Sequence, residues 1–218
     1  MPGRAAVFAR LAARIATLPD DEVRLVGVDG TDGVGKTVFA DALADHLRAD
    51  GAVVHRVAMD GFHRPRAERY RQGRHSPEGY FRDSYDIRGF CSAVLDPLRP
   101  GGSSRIRTAV FDHVTDEPVA GDVVTVAPGD VVLVDGIFLH RDELYRAWHL
   151  TVYLTAPWRV ALERMAARDG FAPDPESSLQ RRYLDGQRLY RAICEPERRA
   201  SAVVDNEHFT APVLVRIR

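Results

Sequence analysis

Eight consecutive residues, Gly30-Thr31-Asp32-Gly33-Val34-Gly35-Lys36-Thr37, follow the apolar run VRLVGVD and precede a stretch in which Phe39, Leu43 and Leu47 recur every four residues. Glycines at this spacing let the chain turn tightly between a strand and a helix, so that successive N–H groups face one point at a positive helix terminus. A polyphosphate satisfies those donors, a lysine at the seventh position reaches its outer phosphates, and the following hydroxyl binds magnesium. Gly30, Asp32, Gly33, Val34, Gly35, Lys36 and Thr37 are therefore the candidate ATP-binding residues, with Lys36 also placed in catalysis and Thr37 in metal binding. Asp135 ends the apolar run VVLVD and supplies the acidic group that a magnesium site needs beside Thr37. Asp60, in MDGFHRP at the end of another apolar run, is the candidate carboxylate for orienting or deprotonating an acceptor hydroxyl. Arg159, Arg164 and Arg168, on nearby faces of one helical segment, could neutralise charge on a transferred phosphoryl group. Asp60 and Asp135 each precede a glycine, so the plainer reading of either is a turn residue.

Composition narrows the class. Among 30 basic residues there is a single lysine, Lys36, which leaves none for the N/T-K-x-D element by which GTP switches read guanine. A net charge of −1 disfavours a dedicated nucleic-acid binder. Cys91 and Cys194 form no CxxC or Cys/His cluster, so reduced thiols and no zinc site are expected. Residues 1–20 show amphipathic helical spacing at Val7, Phe8, Leu11 and Ile15, interrupted by arginines. No apolar run suits a signal sequence or a membrane span, and a cytoplasmic protein with no membrane partner is expected.

These residues need a scaffold that brings strand ends together. Runs at 23–29, 52–59, 131–134, 150–154 and 201–204 are short and β-branched, as in a parallel sheet covered on both faces. Helical periodicity fills most of the intervals, including one helix after Pro157 and another from about 177 to 193, which implies an α/β sandwich. Two stretches break the alternation. Residues 62–90 are arginine-rich and aromatic, and 103–127 read as two extended segments joined by a turn near Pro118 to Gly121. The whole is expected to be one domain, 1–218.

The order GTDGVGKT, MDGFHRP, AVFDHVTDEP, VLVDGIF, ERMAARD and RRYLDGQRLYRAICEPERRASAVVDN resembles the uridine kinase family, within the group of P-loop kinases that includes phosphoribulokinase and bacterial pantothenate kinase. The resemblance implies a P-loop three-layer sandwich with a five-stranded parallel sheet, a small hairpin and an arginine-bearing lid, here 157–176. It implies that Asp60 meets the acceptor hydroxyl, that Arg164 and Arg168 are lid arginines, and that His63, Asp86, Phe111, Asp112 and Asp116 border the acceptor within the 62–127 segment. The hairpin departs from the family pattern, with Phe111 where a tyrosine is usual, Asp116 in place of a histidine and Pro118 in place of an arginine. That hairpin and the arginine-rich loop at 63–75, whose plainer reading is a solvated loop, motivate an alternative in which the acceptor is a sugar, pantothenate-like or sugar-phosphate molecule.

The expected protein is thus a magnesium- and ATP-dependent kinase acting on a hydroxyl of a nucleoside-like acceptor. The alternatives are a sugar, pantothenate-like or sugar-phosphate acceptor, or a nucleotide-binding regulatory protein without transfer activity. Expected partners are ATP and the small acceptor; a homo-oligomer is compatible with the sequence.

Overall fold

A computed structural model describes residues 3–171, 174 and 177–218. In chain order the first half holds α1 (Arg4–Ala16), β1 (Arg24–Gly30), α2 (Lys36–Ala49), β2 (Val54–Ala58), α3 (Arg66–Arg69), α4 (Pro77–Asp83) and α5 (Ile87–Phe90). There follow β3 (Arg105–Arg107), β4 (Phe111–Asp112), β5 (Glu117–Pro118), β6 (Val123–Thr125), β7 (Val131–Asp135) and β8 (Leu150–Thr155). The chain closes with α6 (Trp158–Asp169), α7 (Ser178–Cys194), α8 (Pro196–Arg199), β9 (Ala202–Asp205) and β10 (Val213–Ile217). Residues 172, 173, 175 and 176 of the expected lid lie outside the described residues.

The central sheet runs β10-β9-β8-β1-β7-β2. Four parallel pairings join β9, β8, β1, β7 and β2, the five expected runs; β10 adds an antiparallel edge that sequence reading had not assigned. Half-exposed throughout, β10 lacks the buried run that marks a central strand. Alternation along β7 divides the core. Val131 and Leu133 face α1 and α2, while Val132 and Val134 face the layer that holds α4, α5 and α7. Helix α1 packs as its spacing predicts, with Phe8 edge-on to Phe39 of α2 at 5.1 Å.

Parallel register sets the functional edge. Asp135 stands opposite Val28 of β1 and Ala58 of β2, so the glycine-rich loop that leaves β1 and Asp60 just beyond β2 emerge on the same side of the sheet.

The hairpin is built differently from its expected form. Phe111 pairs with Pro118 and Asp112 with Glu117, which puts the turn at 113–116, ahead of Pro118 to Gly121. Asp112 accepts a hydrogen bond from Val114 N at 2.8 Å, and Asp116 takes a left-handed φ of 63°, a conformation aspartate tolerates through local hydrogen bonding. Below the turn, β3 and β6 pair to extend the ribbon. The 62–90 stretch, which breaks the strand–helix alternation, holds α3, α4 and α5; Ser76 caps α4 by accepting from Gly79 N at 3.0 Å, and Asp86 caps α5 by accepting from Gly89 N at 3.0 Å.

Candidate active site

The loop between β1 and α2 carries the strongest local signature. Gly33 and Gly35 take φ values of +71° and +92°, which side chains with a Cβ resist. A Cβ on Gly33 would also collide with the carbonyl oxygen of Ala161 in α6. Gly35 caps α2 without a side-chain hydrogen bond, so the first N–H groups of that helix stay available to an anion at its positive end. Lys36 Nζ donates to Thr31 O at 2.8 Å and arches over the loop.

Asp29, fully buried at the end of β1, holds the start of this loop. One carboxylate oxygen accepts from Gly30 N at 2.6 Å, and the other meets His140 Nδ1 at 2.7 Å and the Tyr190 hydroxyl. His140 Nε2 lies 2.9 Å from Thr151 Oγ1, so the buried carboxylate belongs to a fully partnered network. The carboxylate of Asp32, expected among the nucleotide contacts, accepts from the Tyr80 hydroxyl at 2.7 and 2.6 Å and from Gln187 Nε2 at 2.9 Å. It therefore ties the loop to α4 and α7. Burial and the Asp32 charge keep the Tyr80 hydroxyl protonated well above its ordinary range.

Thr37 Oγ1 donates to Asp135 Oδ2 at 2.7 Å. Asp135 is 4% exposed, and Arg56 Nη2 donates to its other oxygen at 2.7 Å. A hydroxyl and a carboxylate beside a phosphate cradle fit magnesium, which takes one or two protein oxygens and completes its shell with phosphates and water. No group of three or more His, Cys, Asp or Glu side chains among the described residues offers a protein-only metal cage.

Asp60 lies in the short turn after β2, with 62% of its side chain accessible. Tyr85 donates to Asp60 Oδ1 at 2.9 Å, and His63 Nε2 is 3.6 Å from the same oxygen. Desolvation in the cleft pushes the Asp60 carboxyl upward, but the hydrogen bond and charge of His63, the Tyr85 hydroxyl and the Lys36 charge outweigh it and hold it far below the usual range. Burial and the charge of Asp60 raise Tyr85 in turn, so Tyr85 remains the donor.

Beside Asp60 opens a cleft of about 290 Å³ lined by His63, Arg64, Glu68, Asp86, Phe111 and Pro118. His63 stacks on Tyr85 at 4.4 Å. The structure thus brings His63, Asp86 and Phe111 together beside Asp60. Asp116 is otherwise engaged, accepting from Arg66 N at 2.8 Å and Arg69 Nη2 at 3.0 Å, and Asp112 is spent on its turn. Arg164 donates to the carbonyls of Val34, Asn206 and Glu207 and lies 3.7 Å over the Phe209 ring, on the flank of the loop. Arg168 pairs with Asp169, and it feels the charges of Asp32 and Asp60. Arg159 pairs with Glu163 on the surface.

Sequence reading missed Arg56 and Gln187. A charge in the middle of β2, between the buried Val54 and Val57, is a visible anomaly; Gln187, on a polar helix, had no local signal.

No family model matches the chain. A pantothenate kinase of Paenarthrobacter aurescens is 35% identical over 115 residues, which cover 52% of this chain and 35% of the relative. The match therefore spans about a third of the length of that relative. Among solved structures, one described as a possible uridine kinase from Bacillus stearothermophilus superposes with a TM-score of 0.71 at 23% identity, covering 90% of this chain and 96% of the other. A protein described as a fructose transport system kinase from Silicibacter sp. TM1040 gives a TM-score of 0.67 at 25% identity, covering 88% and 95%. Loop, sheet order and strand-end chemistry agree with these likenesses: the chain has the fold of P-loop kinases and over about half of its length is similar in sequence to pantothenate kinases.

Proposed function

We propose that the protein is an ATP-dependent phosphotransferase that moves the γ-phosphoryl group to a hydroxyl of a small acceptor. The observation that supports this most directly is the ionised Asp60 carboxylate at the same sheet edge as the phosphate loop, within the field of Lys36. In the reaction the acceptor oxygen forms a bond to the γ-phosphorus while the bond to the β-bridging oxygen breaks and ADP leaves. The acceptor proton passes to Asp60. A carboxylate held so acidic is a weak base, which suits a loose phosphoryl-transfer transition state in which the hydroxyl is oriented first and loses its proton late.

Lys36 and the N–H groups at the start of α2 hold the phosphates, and Arg168 is the candidate for charge on the transferred group. Thr37 and Asp135 would hold magnesium, whose role is to neutralise charge on the phosphates. Arg56 would keep the Asp135 carboxylate aimed at that position.

For the acceptor, the pantothenate-like reading is favoured over the nucleoside. The pantothenate kinase likeness supports it, and so does the hairpin, where Asp116, at the position of the family's base-holding histidine, is tied to Arg69. The nucleoside reading retains one support, the aromatic cleft of Phe111 and His63 with Asp86 at its margin. ADP release measured against a panel of hydroxy acids, sugars and nucleosides tests the proposal. Acceptor-dependent turnover by wild type that is lost in Asp60→Ala is expected; tight ATP binding with no acceptor-dependent release across the panel would instead make the protein a nucleotide-binding regulator.

A further inference from the structure

Three arginines in the described structure are less than a tenth exposed: Arg69 at 8%, Arg141 at 6% and Arg182 at 4%. Arg69 pairs with Asp116 and Arg141 with Glu143. Arg182, the most buried, has no ion pair or hydrogen bond to any described residue, and its Nε is both buried and unpartnered. Its guanidinium instead lies 5.0 Å from the ring centre of Tyr70, 5.1 Å from that of Tyr80 and 5.7 Å from that of Tyr183.

A buried charge without a counter-ion is costly, and aromatic faces offset only part of the cost. Its position is nevertheless strongly imposed. One turn further along α7, Gly186 allows so close an approach to Tyr80 that a Cβ there would strike the ring, which presses this face of the helix onto α4. Tyr80 in turn reaches Asp32 of the phosphate loop through its hydroxyl, so Arg182 stands one tyrosine ring away from the loop. Tyr70 belongs to the arginine-rich segment that runs from Asp60 towards α4. A guanidinium packed among three tyrosine rings, with no protein acceptor for its donors among the described residues, is chemically suited to a carboxylate or phosphate, which a guanidinium can bind through two N–H groups.

We propose that Arg182 receives an anionic group, a carboxylate or a phosphate, carried by the phosphoryl acceptor. The proposal rests on the kinase reading above and narrows its acceptor to an anionic one. In the reading above, the nucleotide's own phosphates would be served by Lys36 and the N–H groups of α2, on the loop that Tyr80 reaches only through Asp32.

Two measurements on the full chain test it. The first is direct binding, independent of turnover. Inorganic phosphate and D-glycerate are titrated onto the protein saturated with ADP and magnesium, following tyrosine fluorescence. Wild type is expected to bind at least one of them, with an affinity about 10- to 100-fold lower in Arg182→Gln and in Arg182→Met, and partly restored in Arg182→Lys. The methionine variant preserves bulk between the rings, and far-ultraviolet circular dichroism with a melting curve confirms that each variant is folded. Absence of binding by wild type, or equal binding by folded wild type and Arg182→Gln, overturns the proposal.

The second measurement compares KM for an anionic acceptor and its neutral amide or unphosphorylated counterpart. Arg182→Gln is expected to raise KM about 10- to 100-fold for the anion alone, with KM for ATP unchanged. Equal losses for both acceptors, or a raised KM for ATP, overturns it. Turnover with neutral acceptors only would leave the kinase standing and refute the anion site, whereas anion binding at Arg182 without any turnover would refute the kinase reading.

Discussion

Thr37 and Asp135, 98 residues apart in the chain, meet through a 2.7 Å hydrogen bond at the mouth of the phosphate loop, and Arg56 grips the free oxygen of the same carboxylate. Walls of the site from β1, β2 and β7 therefore converge on one buried acid.

Asp135→Asn keeps the shape and removes the charge. Turnover is expected to fall by about 100-fold, with the magnesium concentration for half-maximal activity displaced upward. Steady-state ADP release across a magnesium series checks this, and an unshifted midpoint would separate Asp135 from the metal.

Asp60→Ala is expected to lower kcat by about 100-fold or more while ATP binding, read by calorimetry, persists. The pH profile sharpens the point. Because His63, Tyr85 and Lys36 lower the Asp60 carboxyl, the group stays ionised well below the usual aspartate range, so no acid-side loss of activity from Asp60 should occur at mildly acidic pH. Tyr85→Phe deletes one of the hydrogen bonds that favour the anion, and the acid limb of kcat/KM is expected to move to higher pH. An acid limb that moves down in that variant contradicts the assigned cause.

Lys36→Arg is expected to abolish measurable turnover. The ammonium fits close over the loop at 2.8 Å from Thr31 O, where a wider planar guanidinium has a different donor geometry. Near-normal phosphoryl transfer in this variant would remove Lys36 from the mechanism.

Arg164 and Arg168 should separate. Arg164 braces the carbonyls of Val34, Asn206 and Glu207, so Arg164→Ala is expected to lower the melting temperature and raise KM for ATP with a modest change in kcat. Arg168→Ala is expected to lower kcat, by up to about a thousandfold if its guanidinium swings onto the transferred group. The reverse split in kcat and KM would exchange their roles.

Gly33→Ala places a Cβ against Ala161 O at a φ of +71°. A loss of about 1 to 3 kcal/mol in unfolding free energy, read from urea denaturation, is expected, together with weakened ATP binding.

The elements that could be read residue by residue were those marked by local punctuation. Strand-to-glycine transitions located the phosphate loop, Asp60 and Asp135, since backbone turns and orphan helix donors depend on near neighbours. Five buried runs similarly predicted the parallel sheet, because a strand covered on both faces is apolar throughout. The half-exposed β10 and the short helices of 62–90 carried no such pattern, and the hairpin turn moved to 113–116 because Asp112 and Asp116 stabilised it there in competition with the Pro118 to Gly121 segment.

Partnership was another matter. Spacing treated Arg164 and Arg168, and the family resemblance treated Asp116, as groups free to meet a ligand; packing committed Arg164 to carbonyls and Asp116 to Arg69. It likewise turned Asp32 towards Tyr80 and Gln187 and left Arg182, one arginine among many, buried without a counter-ion. A residue's type and its place along the chain specify what it can bond. Which partner it finds depends on sheet register and on how closely α7 settles on α4, contacts between segments far apart in sequence, and only the folded chain brings them within hydrogen-bonding distance.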